Sequence, residues 1–290
     1  MDIVFDRINE LIMIILIIVT LCPFLHVISA SFSSSDEVLR SRSLILWPKG
    51  FNVQAYRYAL AHPILKISYL NTIYYAVAGT LLGLFIESLA AYAFAKQKFL
   101  GKKVFLFMII FTMFFGGGMI PTYLNIKNLG LIDKRIVMYL PFCVSTWSII
   151  ILRTGFKQVP ASLLESAYLD GASDLIILFR IVLPLSKAIL AVSILFSVVG
   201  YWNSWFPALI YLKDRNKYPL QMILREIVIV GRMNEIETQL SEALTSTKRA
   251  SMEEVIRYAT MVLTTGPIIV VYPFLQKYFI KGVMIGSLKE

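Results

Sequence analysis

Few residues in this chain could carry chemistry, and their placement narrows what that chemistry can be. The two histidines, His26 and His62, stand far apart, and the two cysteines, Cys22 and Cys143, lie inside apolar runs. Neither pair has metal-ligand spacing, and two thiols are too few for a disulfide framework, so no metal is expected. No Gly-x-x-x-x-Gly-Lys-Ser/Thr loop is present to cradle nucleotide phosphates. His-Glu-x-x-His, Gly-x-Ser-x-Gly and paired aspartates within the apolar runs are missing too, which argues against an intramembrane enzyme. What remains is Glu87, the only acid well inside an apolar run, the cluster Tyr201-Trp202-Asn203-Ser204-Trp205, and a polar segment over 159–184. A carboxylate in lipid is costly, so Glu87 should face protein or water, either as a cavity or gate group or as a bond to neighbouring helices. Aromatic faces and an amide can line a cavity, stacking on C–H surfaces and bonding to hydroxyls. Asn203, Trp202, Trp205 and Tyr201 have that chemistry, with Tyr123, Asn125 and Tyr74 as further candidates. The same residue types also anchor helix ends at a membrane interface or bond between helices.

These groups need elements to hold them, and composition says which. The chain has 290 residues, 58% hydrophobic and 16% charged, with a mean hydropathy of +0.72. Soluble domains average ~45–50% apolar and ~25% charged. A disordered chain and an ordinary soluble enzyme are excluded, and an all-α integral membrane protein is expected. Apolar runs occupy 11–30, 69–95, 104–124, 136–152, 185–212 and about 256–280. About 20 residues of helix cross a bilayer core, and a lone segment in lipid satisfies its backbone only as a helix. Six transmembrane helices follow. The flank Asp2, Asp6, Arg7, Glu10 is acidic, so the first run reads as a retained helix rather than a secretory signal. The chain divides into 1–68, the first helix with an external segment, and 69–285, a core of five helices.

Orientation comes from short basic loops. Lys96, Lys98, Lys102 and Lys103 sit together without an acid, which places that loop in the cytoplasm, and Lys277, Lys281 and Lys289 put the tail on the same side. Both termini are then inside. Segments 31–68 and 213–255 fall outside and read as solvated polypeptide; the second carries seven basic and seven acidic residues. In the first, Arg40, Arg42, Lys49, Arg57 and Lys66 outnumber Asp36 and Glu37, a bias that would favour an acidic cargo or partner. The net charge of +10 is read as lysine and arginine anchoring loops against membrane lipid, not as a nucleic-acid surface. Gly79, Gly83 and Ala90 share one helix at intervals that allow close packing. Gly116-Gly117-Gly118 with Pro121 should bend the third helix.

Segment 159–184 parses as two short helices outside the membrane. Pro160 suits a first turn, Ser162 and Glu165 have capping-box spacing, and Gly171 can take the left-handed conformation that ends a helix. Ser173 or Asp174 can cap the next helix, and Leu183-Pro184 restarts the chain as the fifth span. Leu163, Leu164, Ala167 and Tyr168 give this elbow an apolar face. It could dock on another protein as a lever, or lie on headgroups.

The segment resembles the EAA loop of ABC importer permeases: Glu-Ala-Ala, three residues, Gly, nine residues, Ile-x-Leu-Pro. Glu165, Ala167, Gly171, Ile181, Leu183 and Pro184 match, Asp170 before the glycine is typical, and Ser166 replaces the first alanine. Further stretches are similar to carbohydrate importers: Ala90-Ala-Tyr-Ala-Phe-Ala-Lys96, Met119-Ile-Pro121-Thr-Tyr123, Leu129-Gly130-Leu131-Ile-Asp133, the Trp-Asn pair at 202–203 and Gln276-Lys-Tyr278-Phe279-Ile-Lys281-Gly282. Together they cover about residues 68–285 and fit the smaller permease of a pair. The run from Gly116 to Tyr123 most resembles permeases for complex, uronate- or alginate-type oligosaccharides.

The resemblance implies a type I ABC permease fold in a heterodimer with a second permease, two ATP-binding subunits and an external solute-binding protein. It also implies that Glu165, Ser166, Ala167, Asp170, Gly171, Ile181, Leu183 and Pro184 dock on the ATPase, and that ATP and Mg act there, with no cofactor in this chain. A same-fold permease for amino acids or peptides, and a channel or secondary transporter, are the rival readings.

Overall fold

The computed structural model describes residues 2–41, 43–61, 63–96, 100–230 and 252–270. His62, Arg42, Gln97, Lys98, Phe99, the tail motif at 276–282 with Lys277 and Lys281, and Lys289 lie outside them. The described residues are helical, with no strand among them. They fall into two compact units, one drawn from Met1–Ser68 and Leu220–Pro267, the other from Tyr69–Pro219 and Ile268–Glu290.

In the first unit, α1 (Asp2–Ser31) is apolar and exposed along most of its length, and it runs unbroken past Pro23. The stretch after it is folded, unlike the solvated polypeptide expected over 31–68. There α2 (Ser35–Arg40) and α3 (Gln54–Ala61) are tied by backbone bonds from Ser34 to Lys49 and from Asn52 to Phe32. Phe32 stacks on Phe51 and Tyr56 at 5.7 and 4.8 Å, and Gly50 turns the chain at φ +61°. Part of 213–255 departs from expectation in the same way. Leu220, Met222, Ile223 and Ile227 are buried in α13 (Leu220–Arg225) and the wide turn Glu226–Val230. A last helix, α14, spans residues 252–270, and the remainder of the sixth run lies outside the described residues.

The second unit is organised along α4 (Pro63–Ala95), whose exposed stripe at 70, 73, 74, 77, 81 and 85 has helical period. Its opposite face is small and polar: Asn71, Thr72, Ala76, Thr80 and Glu87 are buried. The third, fourth and fifth runs, expected as single helices, are each broken. Helices α5 (Lys102–Phe114) and α6 (Met119–Asn128) meet at 111°. Three successive glycines are poor helix formers, and Gly118 sits at φ +83°, open to glycine alone at its extended ψ. The bend expected there is present, and Pro121 falls in the first turn of α6, where its missing N–H is harmless. The fourth run is two 3-10 turns, Arg135–Met138 and Leu140–Phe142, then α7 (Thr146–Phe156), bent by 52°. Pro141 in the second turn lacks the donor an α-helix would need.

Helix α8 (Ala161–Leu169) and the continuous stretch α9 (Asp174–Ile177), a π turn at Leu178–Val182 and α10 (Leu183–Leu185) form the elbow. Pro184 does not restart the fifth span. It ends the elbow: its ring crowds the carbonyl four residues back, which widens the ladder into the π turn. The chain then breaks at Ser186, and α11 (Lys187–Trp202) leaves at 87°. After Asn203 and Trp205 comes α12 (Phe206–Tyr211).

Candidate functional site

The elbow is built from local rules and then locked by packing. Pro160 itself occupies the N-cap of α8, so Ser162 falls inside the helix and makes no capping box. Gly171 lies at φ +77°, as its position after the helix predicts. The N–H of Ala172 donates to the Ala167 carbonyl at 2.9 Å and that of Gly171 to the Tyr168 carbonyl at 3.0 Å, the paired bonds of a Schellman end. Ser173 stands at the N-cap of α9 without a side-chain bond, and Asp174 bonds elsewhere. Ala167, Ile177, Leu178 and Val182 are buried against Ala91, Tyr92 and Phe94 of α4 and Ile149, Leu152 and Phe156 of α7. The outer surface is then free to meet something else. Glu165, Ser166, Asp170, Gly171 and Pro184 are exposed, while Ile181 and Leu183 are half-buried. Leu169 is 89% exposed, with Leu163 and Leu175 also exposed, so an apolar crest is flanked by two carboxylates. Ser166 points outward and its hydroxyl donates to the Ser162 carbonyl at 2.6 Å.

The elbow is also held by charge. The carboxylate of Asp174 accepts from Tyr168 at 2.6 Å and pairs with the Lys96 ammonium just past α4. The hydrogen bond from Lys96, then that from Tyr168, holds its carboxyl below the usual carboxylate range. Arg153 of α7 donates to the Phe94 carbonyl at 3.1 Å, and Lys102 donates to the Lys96 carbonyl. Cations on the last carbonyls of α4 suit its dipole.

The second feature is a cavity of about 240 Å³ between α4, the α7 entrance and α11, lined by Glu87, Ser145, Trp147, Ser197, Tyr201 and Ser204 among others. Ligand pockets generally hold ~300–1,000 Å³, so it would take only part of an oligosaccharide. Glu87 is 1% exposed. Its Oε1 accepts the Ser145 N–H at 2.7 Å, the orphan donor at the break before α7. Glu87 therefore ties α4 to the entrance of α7 at the cavity's edge.

Of the sugar-site candidates, the structure brings Glu87 and Tyr201 to this cavity. Trp202 is buried edge-on to Tyr69, Asn203 caps α11, and Trp205 packs on Phe206. Tyr123 stacks on Tyr211 at 6.1 Å, Tyr74 meets the Tyr139 hydroxyl at 3.2 Å, and Asn125 is exposed. Trp147 and Ser197 carried no sequence signal: a serine or tryptophan in an apolar run marks a cavity only once helices meet around it.

Asp133 is a separate hub. At φ +58° it accepts the N–H groups of Lys213 and Asp214, both at 3.0 Å, and the Lys217 ammonium at 3.0 Å. Asn71 and Tyr75 of α4 hold the same loop through the carbonyls of 216–218. The two backbone N–H groups, then Lys217, draw the Asp133 carboxyl down to about 2. A depressed carboxyl stabilises the fold above its unfolded value, ~3.9, and that gain fades as pH falls toward 2. Asp133→Asn keeps a residue tolerant of positive φ. It is expected to lower the melting temperature of the detergent-solubilised protein by a few degrees at pH 7. The gap to the parent should shrink below pH 4 in a fluorescence melt; a gap independent of pH would contradict this.

Against known proteins, residues 79–285 match the family described as "Binding-protein-dependent transport system inner membrane component". The chain belongs to this family. It is a multi-pass membrane permease of the ABC importer type, not itself an enzyme. The permease is 40% identical over 285 residues, 98% of both chains, to the polygalacturonan/rhamnogalacturonan transport system permease protein YtcP of Bacillus subtilis (strain 168). It is 41% identical over 271 residues to protein LplC of that organism, covering 93% of this chain and 90% of the relative. Among solved structures it is similar, with a TM-score of 0.88 and 34% identity over 96% of this chain and 97% of the other, to a bacterial ABC transporter involved in the import of the acidic polysaccharide alginate. The permease fold expected from the EAA resemblance is thereby shown, and the family implies a partner permease, an ATPase and a binding protein in general.

Proposed function

We propose that this permease carries an acidic oligosaccharide, of the uronate-containing kind, into the cytoplasm. It does so beside a second, longer permease, with two ATP-binding subunits that hold ATP and Mg, and an external solute-binding protein. The observation that carries the reading is the end-to-end similarity to a permease named for polygalacturonan and rhamnogalacturonan. The alginate importer structure points the same way. The exposed cations Arg40, Lys49, Arg57 and Lys66 suit an acidic cargo or carrier. In this reading there are six spans, three of them broken, with both termini inside. The elbow at 159–184 then faces the cytoplasm and docks through Glu165, Ser166, Asp170 and the crest beside them, while Ala167, Gly171, Ile181, Leu183 and Pro184 set its shape. Closure of the ATPase dimer moves the elbow, and α7 and α11 on either side of it follow. The cavity beside Glu87 and Tyr201 is the candidate contact with cargo.

The test is the complex reconstituted in proteoliposomes with its binding protein. Oligogalacturonate is expected to stimulate ATP hydrolysis and to accumulate inside, whereas neutral maltodextrin and amino acids should do neither. Stimulation by amino acids instead of any saccharide would sink the assignment.

A further inference from the structure

The elbow is covalently joined to α7 and α11 but not to α4, the helix that carries Glu87 and borders the cavity. Apolar contact alone would link the elbow to α4 loosely, because burial has no preferred direction. A directed link between them stands at the end of α4. Lys96, the first residue beyond α4, pairs through its ammonium with Asp174, the first residue of α9. The same carboxylate oxygen accepts from Tyr168 of α8 at 2.6 Å, with the Tyr92 hydroxyl of α4 at 3.4 Å. The ammonium also stands over the rings of Tyr92 and Tyr168, at 5.2 and 5.4 Å. One carboxylate and one ammonium thus tie both elbow helices to the end of α4. Charge-assisted bonds fix direction as well as distance. Farther along, α4 grips the rest of the unit through Glu87 on Ser145 and through Asn71 and Tyr75 on 216–218.

We propose that Lys96 and Asp174, braced by Tyr168 and Tyr92, form a joint through which the elbow moves α4, so that one push reaches three helices around the cavity. Both are positioning residues, and the proposal rests on reading 159–184 as the ATPase-coupling loop. The experiment uses the full complex in proteoliposomes and reads ATP hydrolysed per cargo molecule imported, with copurification of the ATPase as the assembly control. Asp174→Asn and Lys96→Met are each expected to raise that ratio about tenfold, the effect of losing one charge-assisted hydrogen bond, while the ATPase copurifies as in the parent. Tyr168→Phe should raise it by less. Asp174→Glu should stay near the parent, and the exchange Lys96→Asp with Asp174→Lys should recover most of the coupling. Parental ratios in both single variants would overturn the joint. So would loss of ATPase binding in both, which would make the pair a packing contact, or failure of both Asp174→Glu and the exchange to recover coupling. Glu165→Lys separates the two ideas. If it uncouples while the Lys96 and Asp174 variants do not, the coupling loop stands and the joint falls; if it transports normally, both fall.

Discussion

Glu165→Lys is expected to reduce cargo uptake about a hundredfold while the permease still inserts and folds. The carboxylate is exposed on α8, and within the described residues no hydrogen bond or ion pair engages it. Exposed substitutions of that kind usually change stability by less than ~0.5 kcal/mol, so the fold has no reason to respond. Its neighbours are the bare side chains of Leu163 and Leu169 and a second carboxylate, Asp170. An apolar crest with an acidic border suits a groove that excludes water and offers cations at its rim. Reversing the sign then costs twice: the attraction is lost, and a cation is brought against cations as the groove dries. Truncating one member of a buried charge pair costs about 2–5 kcal/mol, and a hundredfold loss, about 2.8 kcal/mol, lies within that range. The measurement is uptake by proteoliposomes together with ATPase copurification. Glu165→Gln should fall between, since it keeps the shape and loses only the charge. Parental uptake by the lysine variant would mean that the elbow touches no ATPase.

The elbow was legible because local rules write it. A glycine after a helix, at the spacing of Gly171, signals a left-handed end whatever surrounds it, and the apolar residues before it mark the packed face. The capping box was misread because Pro160 already took the cap, which pushed Ser162 inside the helix. The broken spans were less legible. Hydropathy sums apolar side chains and is blind to whether the backbone between them is continuous. Gly116-Gly117-Gly118 announced one break, but nothing around Ser186 announced another; Pro184 acts two residues before the chain turns. Segment 31–68 looked solvated because it is polar by window, yet Phe32, Phe51 and Tyr56 meet only after the chain doubles back. Partners that are backbone groups are invisible in any motif. Glu87 stood alone as a residue because its partner is the N–H of Ser145, and Asp174 read as a cap because its partner lies 78 residues away.

Gly83→Ala should show the largest loss of folded protein. A methyl group built on Gly83 meets the carbonyl oxygen of Cys143, a backbone atom that cannot rotate aside. The only relief is to move that stretch away from α4. One helical turn farther on, Glu87 holds the N–H of Ser145, two residues from the clash, so relief stretches the bond that satisfies a buried carboxylate. Overpacking costs about 1–3 kcal/mol, and leaving a buried acceptor unpaired adds about 1–3 kcal/mol; the two are coupled through one short stretch, so about 3 kcal/mol is a fair centre. Gly79 is the control on the same helix. Its methyl would meet the ring of Tyr201, the far end of a side chain beside a cavity, which can swing into that space. Gly79→Ala should therefore cost clearly less, and it should shrink the cavity instead. Monodisperse yield and the unfolding midpoint in detergent separate the two variants. Equal behaviour would mean that the close approach of 83 to 143, and with it the anchoring of Glu87, is not a feature of the folded permease.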